Sequence, residues 1–296
     1  MTDRLPVVDA HLHLFDAATE RRPRAIYPGM ADAERVEPAE RLLAAMADAG
    51  VDLAVVVPLS KEDDHLAEVL REHLGRFVGV GIFEHDRPDD VDGLERRLAR
   101  CDIRGLRFYG LGAETDQDVR TLAVYPVMEA MADRGMVVWF YGDEVQLAAM
   151  GAIMDLLPSL RVVLNHSGFL PDMHAEMQID RHGRPHFDVV LPPPSLSLVE
   201  AMAGRYEHLF VHFSGHYAFS HEGWPYRDLT EVAERLVASF GVGRMMRASD
   251  WPWIRDEPGY GRILDVDLEL LPDLGADDRA MLRGGTAARL FGLPTV

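Results

Sequence analysis

Short segments rich in β-branched residues alternate with longer amphipathic segments along the whole chain, and this alternation constrains the fold more than any other feature. Eight segments are predicted to be strands: residues 6–13, 52–58, 77–83, 105–109, 136–141, 161–166, 209–214 and 244–250. The stretches between them, such as 38–49 and 229–240, place apolar residues at helical spacing. Eight parallel β-α units close most simply into a barrel. We therefore predict an α/β fold, a single (β/α)8 TIM-barrel domain spanning residues 1–296.

Length and composition agree with one soluble domain. The chain has 296 residues, 48% of them hydrophobic, and TIM barrels commonly contain about 250 residues. The formal net charge of -19 argues against nucleic acid or an anionic membrane as a partner. The lone Cys101 cannot form an internal disulfide, and residues 1–10 lack the features of a signal peptide. We expect a cytoplasmic protein with no membrane partner that acts on a small-molecule substrate, and a homo-oligomer is left open.

Two connections are longer than a barrel requires. Residues 168–208 separate the sixth and seventh predicted strands, and the segment DRHGRPHFDVVLPPP at 180–194 does not resemble a regular helix. Residues 16–38 follow the first strand and are rich in arginine and proline. Long loops in barrel enzymes often carry function, so we predict that the 168–208 insertion is a lid or substrate loop.

Period-two alternation places many polar residues on one face of the predicted strands. The members of this polar set are Asp9, His11, His13, Arg107, Tyr109, Trp139, Tyr141, His166, His212, Ser214 and Asp250. A barrel interior is normally filled by aliphatic side chains, and a buried polar group without partners costs several kcal/mol. Because most of these residues come late in their strands, we expect them at the C-terminal mouth, where barrel enzymes hold their active sites. Asn165 and Arg247 fall on the opposite face, and the sequence offers no explanation for Arg247.

Four residues of this set are the leading candidates for chemistry. His11 and His13 lie two apart on one strand and can share a metal ion or a substrate oxygen. Their structural alternative is a pair of barrel-lining histidines satisfied by hydrogen bonds. His166 has an alternative as a capping group, and Asp250 as a helix N-cap or an ion-pair partner.

Several motifs together resemble the amidohydrolase-related family. They are VVDAHLHLF (7–15), RGLRFYG (104–110), VVLNHSG (162–168), FSG (213–215), YRDLTEVAERLVASFGVGR (226–244), ASDWPW (248–253) and GGTAARLFGL (284–293). Within that family they look most like the branch of sugar-lactone and 2-pyrone-4,6-dicarboxylate lactonases, and the match spans nearly the whole chain in order.

The resemblance implies roles for individual residues. It places His11, His13, His166 and Asp250 at catalytic positions of the family and implies that Arg107 and Tyr141 hold substrate oxygens. We also predict that the substrate pocket includes His212, Trp139 and Trp251.

The chain departs from this branch at three positions. Pyrone-dicarboxylate members carry an arginine three residues after the strand-6 histidine, where this chain has Phe169. His212 stands where related enzymes often have lysine, and Thr286 where the final helix usually has asparagine. The first departure weakens the case for a dicarboxylate substrate.

The metal requirement is open at the level of sequence. Binuclear members bridge their ions with a strand-4 lysine or carboxylate, but the single lysine of this chain, Lys61, follows the second strand. Metal-dependent decarboxylases use a strand-5 histidine, which this chain lacks. We therefore expect no bridged binuclear centre. A single divalent ion, with zinc favoured, could use the predicted metal set of His11, His13, His166 and Asp250, or recruit His212. A metal-free site is the preferred interpretation.

Three functions compete. The leading hypothesis is a lactonase-like hydrolase in which Asp250 acts as general base on water, the histidines stabilise the oxyanion, and Arg107 with Tyr141 orients the substrate. The second is a metal-dependent nonoxidative decarboxylase of an aromatic or unsaturated carboxylic acid. The third is a catalytically silent binding barrel, since a fold does not fix a function.

Overall fold

Eight parallel strands form the barrel that the sequence predicts. The computed structural model describes residues 4–83, 90–171 and 177–296. Its strands are β1 (Val8–Leu12), β2 (Leu53–Val56), β3 (Phe77–Ile82), β4 (Ile103–Phe108), β5 (Val137–Phe140), β6 (Arg161–Leu164), β7 (Gln178–Ile179), β8 (Pro185–His186), β9 (Leu209–Phe213) and β10 (Met245–Arg247). The barrel order is β1-β2-β3-β4-β5-β6-β9-β10, and β7 pairs with β8 in a separate antiparallel hairpin.

The barrel closes between β1 and the segment that follows β10. His13 donates its backbone N–H to the carbonyl of Trp251 over 2.7 Å, and Asp250 donates its backbone N–H to the carbonyl of His11 over 3.0 Å. The closing hydrogen bonds therefore lie beside three of the predicted catalytic residues, and the barrel itself fixes the separation of their backbones.

Helices follow the barrel strands, and most of them pack on the outer side of the barrel. They are α1 (Ala39–Asp48), α2 (Asp64–Glu72), α3 (Val91–Leu98), α4 (Tyr125–Asp133), α5 (Glu144–Leu156), α6 (Leu196–Arg205), α7 (His216–Phe219), α8 (Thr230–Phe240), α9 (Tyr260–Leu264), α10 (Val266–Leu270), α11 (Ala276–Ala280) and α12 (Thr286–Phe291). Side-chain caps mark some of their starts: Asp90 accepts from the backbone N–H of Gly93 at α3, and Asp143 from that of Gln146 at α5. None of these helices, within the described part of the chain, is long and apolar enough to cross a membrane.

Apolar side chains form two separate layers, one on each side of the sheet. The inner layer fills the barrel below the mouth and includes Val55, Val80, Val163 and Met246. The larger outer layer packs the other faces of the strands against the helices. This division confirms the alternation predicted for the barrel strands β4, β5, β9 and β10. In β5, for example, Trp139 lies in the inner layer while Val138 and Phe140 lie in the outer one.

Strand 1 departs from simple alternation. The register of β1 against β2 shifts between Asp9 and Leu12, as at a β-bulge. Val8 and Ala10 consequently pack inside the barrel, and Leu12 packs outside. Asp9 accepts a hydrogen bond from the hydroxyl of Tyr260 on α9, over 2.9 Å. The prediction that Asp9 shares the inner face with His11 and His13 is therefore wrong, because the irregularity changes the facing of side chains partway along the strand.

Strand 6 ends earlier than predicted, at Leu164. Period-two alternation predicts Leu164 on the same face as His166, but Leu164 packs in the outer layer, so this prediction is also wrong. His166 and Ser167 adopt left-handed backbone conformations with φ of 47° and 57°. This turn, rather than strand alternation, directs His166 to the barrel mouth. The side-chain amide of Asn165 is buried and has no hydrogen-bond partner among the described residues.

Arg247 faces the outer layer, as predicted, and the structure explains why it can do so. Its Nη1 atom donates to the backbone carbonyl of Leu264 over 2.6 Å. Burial lowers its pKa, whereas the Asp267 and Asp9 carboxylates favour the charged form. A buried cation is therefore tolerated there because acidic groups and a carbonyl surround it.

The 168–208 insertion contains the β7-β8 hairpin and α6, and its residues 172–176 lie outside the described residues. No helix is found in 180–194, as predicted. Phe187, just after β8, donates its backbone N–H to the carbonyl of Ala218 in α7 over 2.8 Å. Arg184 lies 5.4 Å from the ring centroid of Tyr217. The hairpin therefore packs on α7, the short helix that follows β9.

Candidate active site

The carboxylate of Asp250 is the centre of the predicted site, and it is buried. Its Oδ1 atom lies 3.6 Å from Nε2 of His11 and 3.3 Å from Nε2 of His13. Its Oδ2 atom lies 4.0 Å from Nδ1 of His166 and accepts a hydrogen bond from the hydroxyl of Tyr217 over 2.6 Å. The structure thus brings together the four residues that the sequence singles out, around one carboxylate.

Local backbone conformations place two of these side chains. Asp250 follows β10 and has a φ of 60°, in the left-handed region that an aspartate seldom adopts. His166 is placed by the turn described above, and this turn packs closely on Gly215. A Cβ atom at Gly215 would lie 2.8 Å from Cβ of His166, so the glycine of the FSG motif permits the close approach. Uncommon backbone conformations of this kind are concentrated at functional sites.

Electrostatics keep Asp250 ionised. Burial alone would raise its pKa, but His166, His13 and the Tyr217 hydroxyl outweigh burial and leave the pKa below its usual value. Burial lowers the pKa of His166 to about 4, although Asp250 partly offsets this effect. Burial, followed by the charge of Arg107, lowers the pKa of His11 well below its usual value. At neutral pH the site therefore holds a carboxylate beside neutral imidazoles of His11 and His166.

The two strand-1 histidines are held in opposite tautomers. Nδ1 of His13 lies 2.8 Å from the backbone carbonyl of Val57, which can only accept a hydrogen bond, so this nitrogen carries the proton. Nδ1 of His11 lies 3.0 Å from the indole nitrogen of Trp139, which can only donate, so this nitrogen is unprotonated. A neutral His11 consequently presents an Nε2–H to the site, whereas a neutral His13 presents a lone pair.

Arg107 supplies the positive charge at the mouth. Its guanidinium carbon lies 4.5 Å from the ring centroid of Tyr109 and 5.8 Å from that of Tyr141. The side chain is buried, and its Nε atom has no hydrogen-bond partner among the described residues. Tyr141 also packs edge-on against His166, with ring centroids 5.3 Å apart. Arg107 and Tyr141 therefore border the same space as the catalytic candidates, and Arg107 retains donor capacity for an oxygen-rich ligand.

Three further predicted binding residues are buried behind or beside the residues that border the barrel mouth. His212 and Trp139 are fully buried, with ring centroids 4.8 Å apart, and His212 lies 5.3 Å from the ring of His11. Both rings support His11. Trp251 is also buried and packs edge-on against Tyr260, with centroids 5.6 Å apart. Their side chains pack around the residues that border the mouth.

Tyr217 is the residue at the site that the sequence reasoning missed. Burial and the neighbouring Asp250 carboxylate raise its pKa well above the usual value, so its hydroxyl remains a donor. It follows the FSG motif by two residues, on α7, a short helix in the loop that leaves the C-terminal end of β9. Such loops carry the active-site residues of barrel enzymes, and this position is the signal that could have identified it.

The donor set fits a metal ion only in part. Among the described residues, one group could hold an ion: His11, His13 and Asp250, whose donor atoms all lie within 4.8 Å of one another. His166, included in the predicted metal set, is outside this group. His13 fits, because ligating histidines commonly donate their other N–H to a carbonyl or carboxylate. Asp250 fits, since its Oδ1 is buried without a hydrogen-bond partner among the described residues. His11 does not fit, because its Nε2 carries a hydrogen.

Fold and site together define a TIM-barrel protein with a His-His-Asp cluster at the C-terminal mouth. Residues 8–293 match the model of the family described as Amidohydrolase, and the chain belongs to that family. This confirms the resemblance carried by the sequence motifs. No curated protein matches the chain in sequence.

Solved structures show the same fold at low sequence identity. A candidate 2-pyrone-4,6-dicarboxylic acid hydrolase from Pseudomonas putida is 23% identical, with a TM-score of 0.71 over 98% of both chains. A zinc-bound amidohydrolase from Burkholderia multivorans is 22% identical, with a TM-score of 0.72 over 98% of this chain and 100% of the other. A manganese-bound dihydroxybenzoic acid decarboxylase from Polaromonas is 16% identical, with a TM-score of 0.63 over 98% of this chain and 97% of the other.

Proposed function

We propose that this protein hydrolyses a small cyclic ester, with Asp250 as the general base. The observation that carries the proposal is the asymmetry of the Asp250 carboxylate. Oδ2 is held by the Tyr217 hydroxyl, whereas Oδ1 is buried and forms no hydrogen bond of regular geometry among the described residues, with Nε2 of His13 3.3 Å away. A positioned carboxylate with one free oxygen can bind a water molecule and take its proton.

The proposed reaction uses Asp250 together with other groups at the barrel mouth. Asp250 accepts a proton from water, and the water oxygen attacks the ester carbonyl carbon. The negative charge that develops on the carbonyl oxygen is stabilised by a fixed donor, the Nε2–H of His11. When the ring C–O bond breaks, the leaving oxygen takes the proton back from Asp250, which yields a hydroxy acid. Arg107 and Tyr141 orient the substrate through its other oxygens.

The resemblance to the lactonase branch supports an ester substrate, and Phe169 indicates how many carboxylates that substrate carries. Phe169 is buried and stacks on Phe219, with ring centroids 4.1 Å apart. The position that carries arginine in pyrone-dicarboxylate enzymes is therefore part of the apolar packing in this chain. We infer that the substrate is a lactone with fewer carboxylates than a pyrone dicarboxylate.

A nonoxidative decarboxylase is the second candidate. Its support is the cluster of His11, His13 and Asp250, which is the type of donor set that holds one divalent ion, and the fold shared with the manganese-bound decarboxylase. The incomplete fit of His11 counts against it.

An assay panel separates the two functions. Purified protein is incubated with sugar lactones, pyrone carboxylates and hydroxybenzoates, each with and without a chelator, while acid release and carbon dioxide are measured. Hydrolysis of at least one lactone that survives the chelator, and that is lost in Asp250→Asn, is expected. Metal-dependent release of carbon dioxide with no lactone turnover would instead favour the decarboxylase.

A further inference from the structure

The hydrogen bond between Trp139 and His11 bears directly on metal preference. To hold a cation through Nε2, His11 would need a lone pair on that atom and therefore its proton on Nδ1. The indole N–H of Trp139 points at this same Nδ1 over 3.0 Å. The metal-binding tautomer would thus bring two N–H donors face to face, and an indole nitrogen has no acceptor capacity.

We propose that Trp139 disfavours a divalent cation at this site by holding His11 as the Nε2–H tautomer. His11 would then present its Nε2–H to the substrate. Metal binding through His11 would require the hydrogen bond from Trp139 to break. The inference concerns what the site holds and is independent of which bond the enzyme cleaves.

Packing around Trp139 holds its indole in the hydrogen bond to His11. Trp139 lies in β5, paired in register with Arg107 of β4 and Val163 of β6, and its side chain is fully buried. The indole packs against His212 at 4.8 Å and Phe291 at 5.5 Å between ring centroids. Because rings fill the space around it, rotating the indole away from His11 would disturb the inner layer of the barrel.

His13 provides the contrast within the same strand. Its Nδ1 donates to the backbone carbonyl of Val57, which leaves Nε2 available as a ligand atom. With His11 in the opposite tautomer, a cation in this cluster would have two fitting protein ligands, His13 and Asp250. Catalytic zinc sites usually have three. Nε2 of His13 is therefore suited to bind a metal, whereas Nε2 of His11 is suited to donate a hydrogen bond.

Zinc titration of a Trp139→Phe variant tests the proposal. Phenylalanine keeps an aromatic ring in the barrel but removes the N–H, so His11 becomes free to move its proton to Nδ1. Isothermal titration calorimetry with Zn²⁺ at neutral pH should show binding at least about 10-fold tighter than in the unmodified protein, the size of effect typical of groups that contact metal ligands. Trp224→Phe is the matched control, because Trp224 packs edge-on against Tyr226. It should leave zinc affinity unchanged. A folded Trp139→Phe protein with unchanged affinity would overturn the proposal.

Nuclear magnetic resonance of the unmodified chain tests the proposed tautomer of His11 even if Trp139→Phe does not fold. The ¹⁵N shifts of a uniformly labelled, metal-free sample report the tautomer of each histidine, and a His11→Asn sample identifies the His11 signals. We expect the Nε2–H form for His11. Detection of the Nδ1–H form would refute the proposal. Neither measurement depends on turnover, so failure to find a lactone substrate would leave this test intact.

Discussion

Tyr217 donates its hydroxyl to Oδ2 of Asp250 over 2.6 Å, and both side chains are buried. The tyrosine comes from α7 and the aspartate from the segment after β10, so the bond joins two separate loops of the barrel mouth. A short hydrogen bond to a carboxylate is charge-assisted and fixes the direction in which the other oxygen points. Tyr217 therefore positions the proposed general base.

Replacing Tyr217 with phenylalanine should lower kcat by about 10-fold or more, since hydrogen bonds to charged groups contribute roughly 1.5–3 kcal/mol. The hydroxyl helps to depress the pKa of Asp250, so its loss raises that pKa. The base works as a carboxylate, and activity falls as pH drops through its pKa. The acidic limb of the pH-kcat profile should thus move to higher pH.

Tyr206→Phe is the control for this experiment. The Tyr206 hydroxyl donates to the backbone carbonyl of Gly151 over 2.8 Å, away from the barrel mouth. This variant should lose some stability and keep the pH profile of the unmodified protein. Identical profiles for all three proteins would show that Tyr217 does not act on Asp250 during turnover.

Asp250→Asn should abolish turnover with little effect on fold or substrate affinity. Asparagine keeps the size and can still accept from Tyr217, but it cannot take a proton from water. The loss should fall on kcat, by about 10² to 10⁴. Steady-state kinetics, with circular dichroism to verify folding, provide the measurement. Near-normal kcat on the best lactone would mean that Asp250 is structural.

The fold could be predicted because the sequence pattern that indicates each strand and helix lies within that segment. Each barrel strand carries its own apolar pattern, and each of the eight predicted segments overlaps an observed strand; seven contain the whole strand, whereas β4 begins two residues before the predicted segment 105–109. The same pattern correctly placed Arg107 and Tyr141 at the mouth. β4 and β5 pair in continuous register from Gly105 to Phe108, and the register shift of β4 against β3 comes before Gly105, so alternation holds to the end of both strands.

Alternation failed where the backbone leaves regular geometry. The irregularity in β1 turns Asp9 outward, and the left-handed turn at His166 redirects that side chain after β6 has ended. Tyr217 lies on a short helix outside any strand, where a period-two pattern contains no information about it. These features depend on contacts between distant segments, such as the approach of Gly215 to His166, which no local window of sequence reveals.

Removing one partner of a buried ion pair outside the site should strongly destabilise the protein. Arg97 and Asp63 are buried, and Nε of Arg97 lies 2.7 Å from Oδ2 of Asp63. Arg97→Met would leave the carboxylate buried without its cation, which typically costs about 3–5 kcal/mol. Urea denaturation should show this decrease in the free energy of unfolding. The exposed pair of Arg120 and Asp118 serves as the comparison, since Arg120→Met should change stability by less than about 1 kcal/mol.

Arg107→Met should raise KM far more than it lowers kcat. Arg107 has donor capacity at the mouth and is not placed to exchange a proton, so we expect it to hold substrate oxygens equally in the ground and transition states. Arg247→Met is the matched control, because Arg247 is another buried arginine but faces the outer layer, where it donates to Leu264. That variant should lower the melting temperature and leave KM unchanged. Steady-state kinetics and thermal denaturation of both proteins separate the two roles. An unchanged KM in Arg107→Met, with kcat reduced instead, would place Arg107 among the groups that stabilise the transition state alone.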